Sequence, residues 1–167
     1  SVAHIERERQ YFRDWGEAID VSIFYGRSQE LDILKQWVIQ DQCRLILLAG
    51  MGGIGKTALS VKVAEQVQGD FDYLIWRSLR NAPPLEGILT DLIKFFSNQE
   101  DVYLPNTIDG VISRLIDYLR KHRCLIVLDN VEAVLAEAPV GSCREGYEAY
   151  GELFKRLEKS VIEVAYS

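Results

Sequence analysis

At 167 residues, 48% of them hydrophobic, the chain has enough apolar surface to bury a core and fits one ordinary domain. Its 19 Lys and Arg against 25 Asp and Glu leave a net charge of -6, so no overall basic field exists to gather a nucleic-acid backbone or an anionic membrane surface. No apolar run approaches the roughly 20 residues that span a bilayer, and the chain is expected to be soluble and cytoplasmic, with neither nucleic acid nor membrane as partner.

Residues 1–20 are a charged lead-in without the apolar centre of a secretion signal, and residues 21–167 are expected to form the domain. The first residue is Ser rather than Met, which suggests processing or a segment of something longer. Ser28 can cap a helix in which Leu31, Leu34 and Val38 recur at three- and four-residue steps. Residues 44–49 form a short apolar run ending at glycine, as expected of a parallel strand covered on both faces. After a glycine-rich turn, Lys56 to Val67 is helical in pattern, with Leu59, Val63 and Val67 on one side.

The alternation then repeats. Residues 73–79 read as a strand, Pro83-Pro84 opens a helix through Phe96, and a second helix covers about Ile108 to Lys121. Residues 124–128 are another buried strand, 136–148 a loop, Ala149 to Lys159 a helix and Val161 to Tyr166 a last strand. Glu163 is costly in a central buried strand, so that segment is expected at an edge or frayed. Strands alternating with helices imply right-handed parallel crossovers, hence an α/β fold: a three-layer α/β/α sandwich on a parallel sheet, incomplete at its C-terminus.

Several smaller signals carry little chemistry. Cys43, Cys124 and Cys143 are an odd, widely spaced set that fits reduced thiols better than disulfides or a zinc site. His4 and His122 lack partners at ligand spacing and are expected at the surface. Trp15, Trp37, Trp76, Phe95 and Phe96 are expected to fill gaps in the core. Arg77, at the end of a strand, is expected to be exposed rather than directed at phosphate.

The segment Gly50, Met51, Gly52, Gly53, Ile54, Gly55, Lys56, Thr57 fits Gly-x-x-x-x-Gly-Lys-Ser/Thr at every required position, between an expected strand and an expected helix. Glycines let successive N–H groups turn inward around phosphate oxygens, and the following helix adds its positive N-terminal dipole. Lys56 reaches the β- and γ-phosphates as a mobile cation, Thr57 offers a hydroxyl to magnesium, and Ala58 is the last candidate nucleotide-binding residue of the segment. The same glycines satisfy a dinucleotide pattern, but that reading wants an acid after the second strand, where Arg77-Ser-Leu stands.

Magnesium needs oxygen ligands, and the strand over residues 125–128 delivers Asp129 at its carboxyl end, where ligands bind in open α/β sheets. Asp129 is therefore the Walker B acid, a metal ligand beside Thr57. Asn130 takes the place where many related ATPases carry a second acid, and an amide is a poor proton acceptor. Glu132, two residues on, could substitute as the catalytic base.

On these residues the sequence resembles the NB-ARC group of STAND signal-transduction ATPases, the AP-ATPase-like domains, particularly bacterial members whose ATPase precedes WD40 or similar repeats. The wording Gly-Met-Gly-Gly-Ile-Gly-Lys-Thr carries the likeness. Phe24, Tyr25, Gly26 and Arg27 look like the segment that in this family surrounds the adenine end. Residues 75–79, 128–132 and 146–151 look like its internal landmarks, in order. The resemblance implies an ATP- or ADP-dependent switch with magnesium, in which ADP favours a closed monomer and ATP favours assembly with partner domains. Residues 160–167 depart from the pattern, because no Arg stands where the family senses the γ-phosphate, and lid, winged helix and repeats are missing.

Three functions stay open at this point: a nucleotide switch module with slow or absent hydrolysis, a working ATPase or P-loop kinase, and a degenerate fragment serving only as an interaction surface. The kinase is the weaker enzyme reading, since no Arg-rich lid is visible.

Overall fold

The structure, a computed structural model, describes residues 10–18, 20, 28–40, 45–50, 54–101, 103–135, 147–157 and 161–166. Cys43, Cys143, His4 and most of the 136–148 loop lie outside them. In chain order the strands are β1 (Phe12–Asp14), β2 (Leu45–Gly50), β3 (Tyr73–Ser78), β4 (Cys124–Asp129) and β5 (Val161–Tyr166). The helices are α1 (Ser28–Gln40), α2 (Ile54–Val67), α3 (Leu85–Phe96), α4 (Ile108–Lys121) and α5 (Glu148–Arg156). All strand pairings are parallel, and the sheet order is β1-β3-β4-β2-β5.

Side chains alternate along each strand, so each supplies both faces of the sheet. Leu45, Leu47, Tyr73, Ile75, Ile126 and Leu128 pack with α3, α4 and α5 through Leu89, Leu92, Ile112, Leu115, Tyr150 and Leu153. Ile46, Leu48, Leu74, Trp76, Leu125 and Val127 pack with α1 and α2 through Leu34, Val38, Leu59 and Val63. This is the expected three-layer α/β/α sandwich. β4 has strand neighbours on both sides and helices on both faces, and all six of its residues are buried. Each fully buried Leu, Ile or Val contributes about 1.5–3 kcal/mol of transfer free energy.

Several local expectations are refined. The charged lead-in contributes β1, which pairs with β3 from Phe12 opposite Tyr73 to Asp14 opposite Ile75. Helix α2 starts at Ile54, two residues before Lys56, and α5 starts at Glu148 and ends at Arg156. The β5 segment pairs with β2 over six residues and stands at the end of the sheet, the edge position that Glu163 suggested. Trp76 and Phe96 are in the core, but Trp37 is 47% exposed on α1. His122 is half-buried, its ring tilted against Tyr73 at 4.8 Å.

Candidate functional site

β2 and β4 are adjacent, with Leu47 opposite Leu128, so the end of β2 at Gly50 and the acid ending β4 lie at the same carboxyl edge. That edge is where parallel α/β sheets bind ligands. Met51, Gly52 and Gly53 lie outside the described residues, as do Phe24, Tyr25, Gly26 and Arg27. Ile54, Gly55, Lys56 and Thr57 form the first turn of α2, where the helix dipole favours an anion, and this turn contains no acidic side chain. Gly55 is exposed, whereas Ala58 turns toward the core formed with α1.

Two side-chain contacts join this turn to the end of β4. The Thr57 hydroxyl donates to Asp129 Oδ2 at 2.6 Å, and Lys56 Nζ lies 3.4 Å from Glu132 Oε1. Lys56 is 4% exposed and Asp129 has no exposed surface. The backbone turns sharply at Asn130, with φ 56° and ψ 41°, into a 3-10 turn over Val131–Ala133 that brings Glu132 back over the site. Thr57, Asp129, Lys56 and Glu132, assigned from sequence, are thus brought together.

The oxygen chemistry suits magnesium. Asp129 Oδ1 and Glu132 Oε2 are both shielded from solvent and neither accepts a hydrogen bond. A buried carboxylate oxygen without a donor is costly, and a divalent cation would satisfy it. Among the described residues no group of three or more His, Cys, Asp and Glu could hold a metal by itself. Magnesium does not require one, since it usually keeps several waters and binds one or two carboxylates plus substrate phosphates. Thr57 Oγ1 and Asp129 would hold it, with the phosphates completing its shell.

Sequence reasoning missed the supports of these groups. Trp76 donates its indole N–H to Ser60 Oγ at 3.1 Å, and Ser60 in turn donates to the Thr57 carbonyl at 2.7 Å. The buried β3 tryptophan therefore braces the first turns of α2. The Asn130 amide donates to Ser78 Oγ at 2.9 Å and to Asp129 Oδ2 at 3.3 Å. The Tyr147 and Tyr150 hydroxyls donate to the Ala82 and Pro83 carbonyls at 2.8 and 2.6 Å, pinning the loop that leaves β3. Burial, with Tyr147 adding to it, pushes the Tyr150 phenol well above its ordinary value, so it remains a donor.

Arg77 corrects the expectation of an exposed strand end. Its guanidinium donates to both Asp14 oxygens, at 2.9 and 2.7 Å, and to Asp91 at 2.7 Å, tying β1 and α3 to β3. Burial acts to lower its pKa, but the two carboxylates outweigh burial and hold it charged.

The model of the family described as the NB-ARC domain matches residues 27–139, more than half of the chain. The chain belongs to the NB-ARC family. It is 54% identical over 156 residues to an uncharacterized WD repeat-containing protein of Nostoc sp., covering 88% of this chain and 12% of that protein. It is 24% identical over 107 residues to a probable disease resistance protein of Arabidopsis thaliana, covering 62% of this chain and 12% of that protein. The chain thus spans about one eighth of the length of these curated relatives. Membership makes this NB-ARC domain a nucleotide-binding signalling module of P-loop type. No helix among the described residues is long and apolar enough to cross a membrane.

Proposed function

We propose that this NB-ARC domain binds ADP or ATP with magnesium at residues 50–58 and Asp129, and acts as a nucleotide-dependent switch with slow or absent hydrolysis. The observation that carries the reading is the 2.6 Å contact between Thr57 and a fully buried Asp129 whose second oxygen has no partner. Lys56 would neutralise the outer phosphates, and the α2 N–H groups would hold their oxygens. Phe24, Tyr25, Gly26 and Arg27 would surround the adenine. Thr57 and Asp129 would hold magnesium, which would supply charge neutralisation at the phosphates. Asn130 beside Asp129 is a neutral amide, which supports slow turnover.

The switch works by differential affinity: contacts to the γ-phosphate bias two arrangements of the neighbouring domains. Those partners are proposed by analogy with the WD repeat-containing relative, in a cytoplasmic setting. The test is the nucleotide itself. Protein is purified, denatured, and its supernatant chromatographed, and the emptied protein is titrated with ADP by calorimetry with and without magnesium. Retained adenine nucleotide, or magnesium-dependent binding lost in Lys56→Ala, is expected; an empty pocket that binds neither ADP nor ATP overturns the proposal.

A second reading, an active ATPase, rests on Glu132. Its carboxylate reaches Lys56, and its Oε2, with no donor, could accept a proton from an attacking water. Phosphate release that disappears in Glu132→Gln but survives in Glu65→Gln would establish this reading. ATP bound without release supports the switch.

A further inference from the structure

Asn130 stands beside the metal-binding acid, and its own part is not explained by the nucleotide chemistry alone. Its left-handed backbone, φ 56° and ψ 41°, lies where most L-residues are penalised and where Asn is among the better tolerated side chains. The side chain spans two strands. Ser78, at the end of β3, is the Cα partner of Asp129 in the ladder, and its hydroxyl accepts the Asn130 amide at 2.9 Å. The same amide nitrogen is 3.3 Å from Asp129 Oδ2.

The distribution of donors over the Asp129 carboxylate is uneven. Oδ2 accepts from both Thr57 Oγ1, at 2.6 Å, and Asn130 Nδ2, at 3.3 Å, while Oδ1 is buried and accepts from nothing. With two donors on one oxygen, rotation about the carboxylate is restrained and the other oxygen remains available. An acid at position 130 would provide no N–H, so it could neither anchor to Ser78 in this way nor donate to Asp129.

We propose that Asn130 is a positioning residue: its amide, anchored on Ser78, fixes the Asp129 carboxylate so that Oδ1 is kept open for the divalent cation. This inference rests on the magnesium-nucleotide reading above. Outer-shell partners of this kind orient ligands and typically change metal affinity by about 10–100-fold when removed.

The experiment titrates ADP into the nucleotide-free whole chain, once with magnesium chloride and once with EDTA. Wild type, Asn130→Gly and Ser78→Ala are compared, and the magnesium-induced gain in ADP affinity is read for each. Glycine accepts the left-handed backbone, so Asn130→Gly removes the amide without straining the turn. Its ADP affinity in EDTA is expected to match wild type, while its magnesium-induced gain falls about tenfold. Ser78→Ala leaves Asn130 in place and is expected to shift the gain in the same direction by less, so the inference remains testable should Asn130→Gly fail to fold. A full magnesium gain in the variants overturns it, and so does an equal loss with and without magnesium, which a merely structural defect would produce. A wild type that binds ADP with no magnesium gain, or does not bind it, overturns the underlying reading as well.

Discussion

Replacing Asp129 by Asn removes a charge from a side chain that has no exposed surface while nearly preserving its shape. In the nucleotide-free protein that carboxylate keeps one oxygen without a donor, a defect worth about 1–3 kcal/mol for a buried polar group and more for a charged one. The Thr57 hydroxyl can still donate to the amide oxygen of Asn, although the new NH2 group needs an acceptor, so a net gain of about 1–2 kcal/mol is expected. For a domain of this length each kcal/mol moves the melting temperature by about 2–4 °C, so Asp129→Asn should melt about 2–8 °C above wild type in EDTA. Magnesium and ADP at a hundred times the dissociation constant add about 2.7 kcal/mol to wild type through linkage and little to the variant. The order of the two melting temperatures should therefore reverse when magnesium-ADP is added. Differential scanning calorimetry under the two conditions is the assay. A variant that melts below wild type in EDTA, or one lifted equally by magnesium-ADP, would refute the reasoning.

Other consequences are testable separately. Lys56→Ala removes the cation facing Glu132 and the phosphates, and should weaken ADP binding by more than tenfold in calorimetry while the protein still melts cooperatively. Tyr150→Phe keeps the buried ring but leaves the Pro83 carbonyl without its 2.6 Å donor; urea unfolding should show a loss of about 1–3 kcal/mol, and an unchanged midpoint would deny that bond its role. Asp14 has its pKa lowered, chiefly by the hydrogen bond from Arg77, so its contribution to stability is present above the ordinary aspartate value and is lost as pH falls through the lower folded value. The stability difference between wild type and Asp14→Asn should accordingly be steady near neutrality and shrink below about pH 4; a difference constant down to pH 2 would contradict the assignment.

How much of this was legible depended on whether a segment's surroundings were uniform. β2 and β4 are enclosed on both faces, and unbroken apolar runs report that environment directly. Helix α4 was equally clear, its apolar stripe bounded by Thr107, which caps Gly110 N, and by Arg120 and Lys121 in the last turn. β1 was not, because three half-buried residues, Phe-Arg-Asp, carry no periodic signal, and their strand exists only through pairing with β3. Arg77 was misread for a related reason: its partners are 63 and 14 residues away, at Asp14 and Asp91. At the site, Lys56 and Thr57 stood out by their fixed offsets from the glycines, and Asp129 by its place at the end of an apolar strand, and the structure brings them together with Glu132. Ser60 and Ser78 did not stand out, because a serine's value here lies in a tryptophan or an asparagine brought close by tertiary packing.

The strand order has a consequence for how such a chain is built. β4 sits between β2 and β3 yet follows both in sequence, so the strand that joins the two halves of the sheet begins some fifty residues after β3 does. The last residue of that strand is Asp129. The acid proposed to hold magnesium therefore meets the Thr57 hydroxyl only once β4 has entered beside β2.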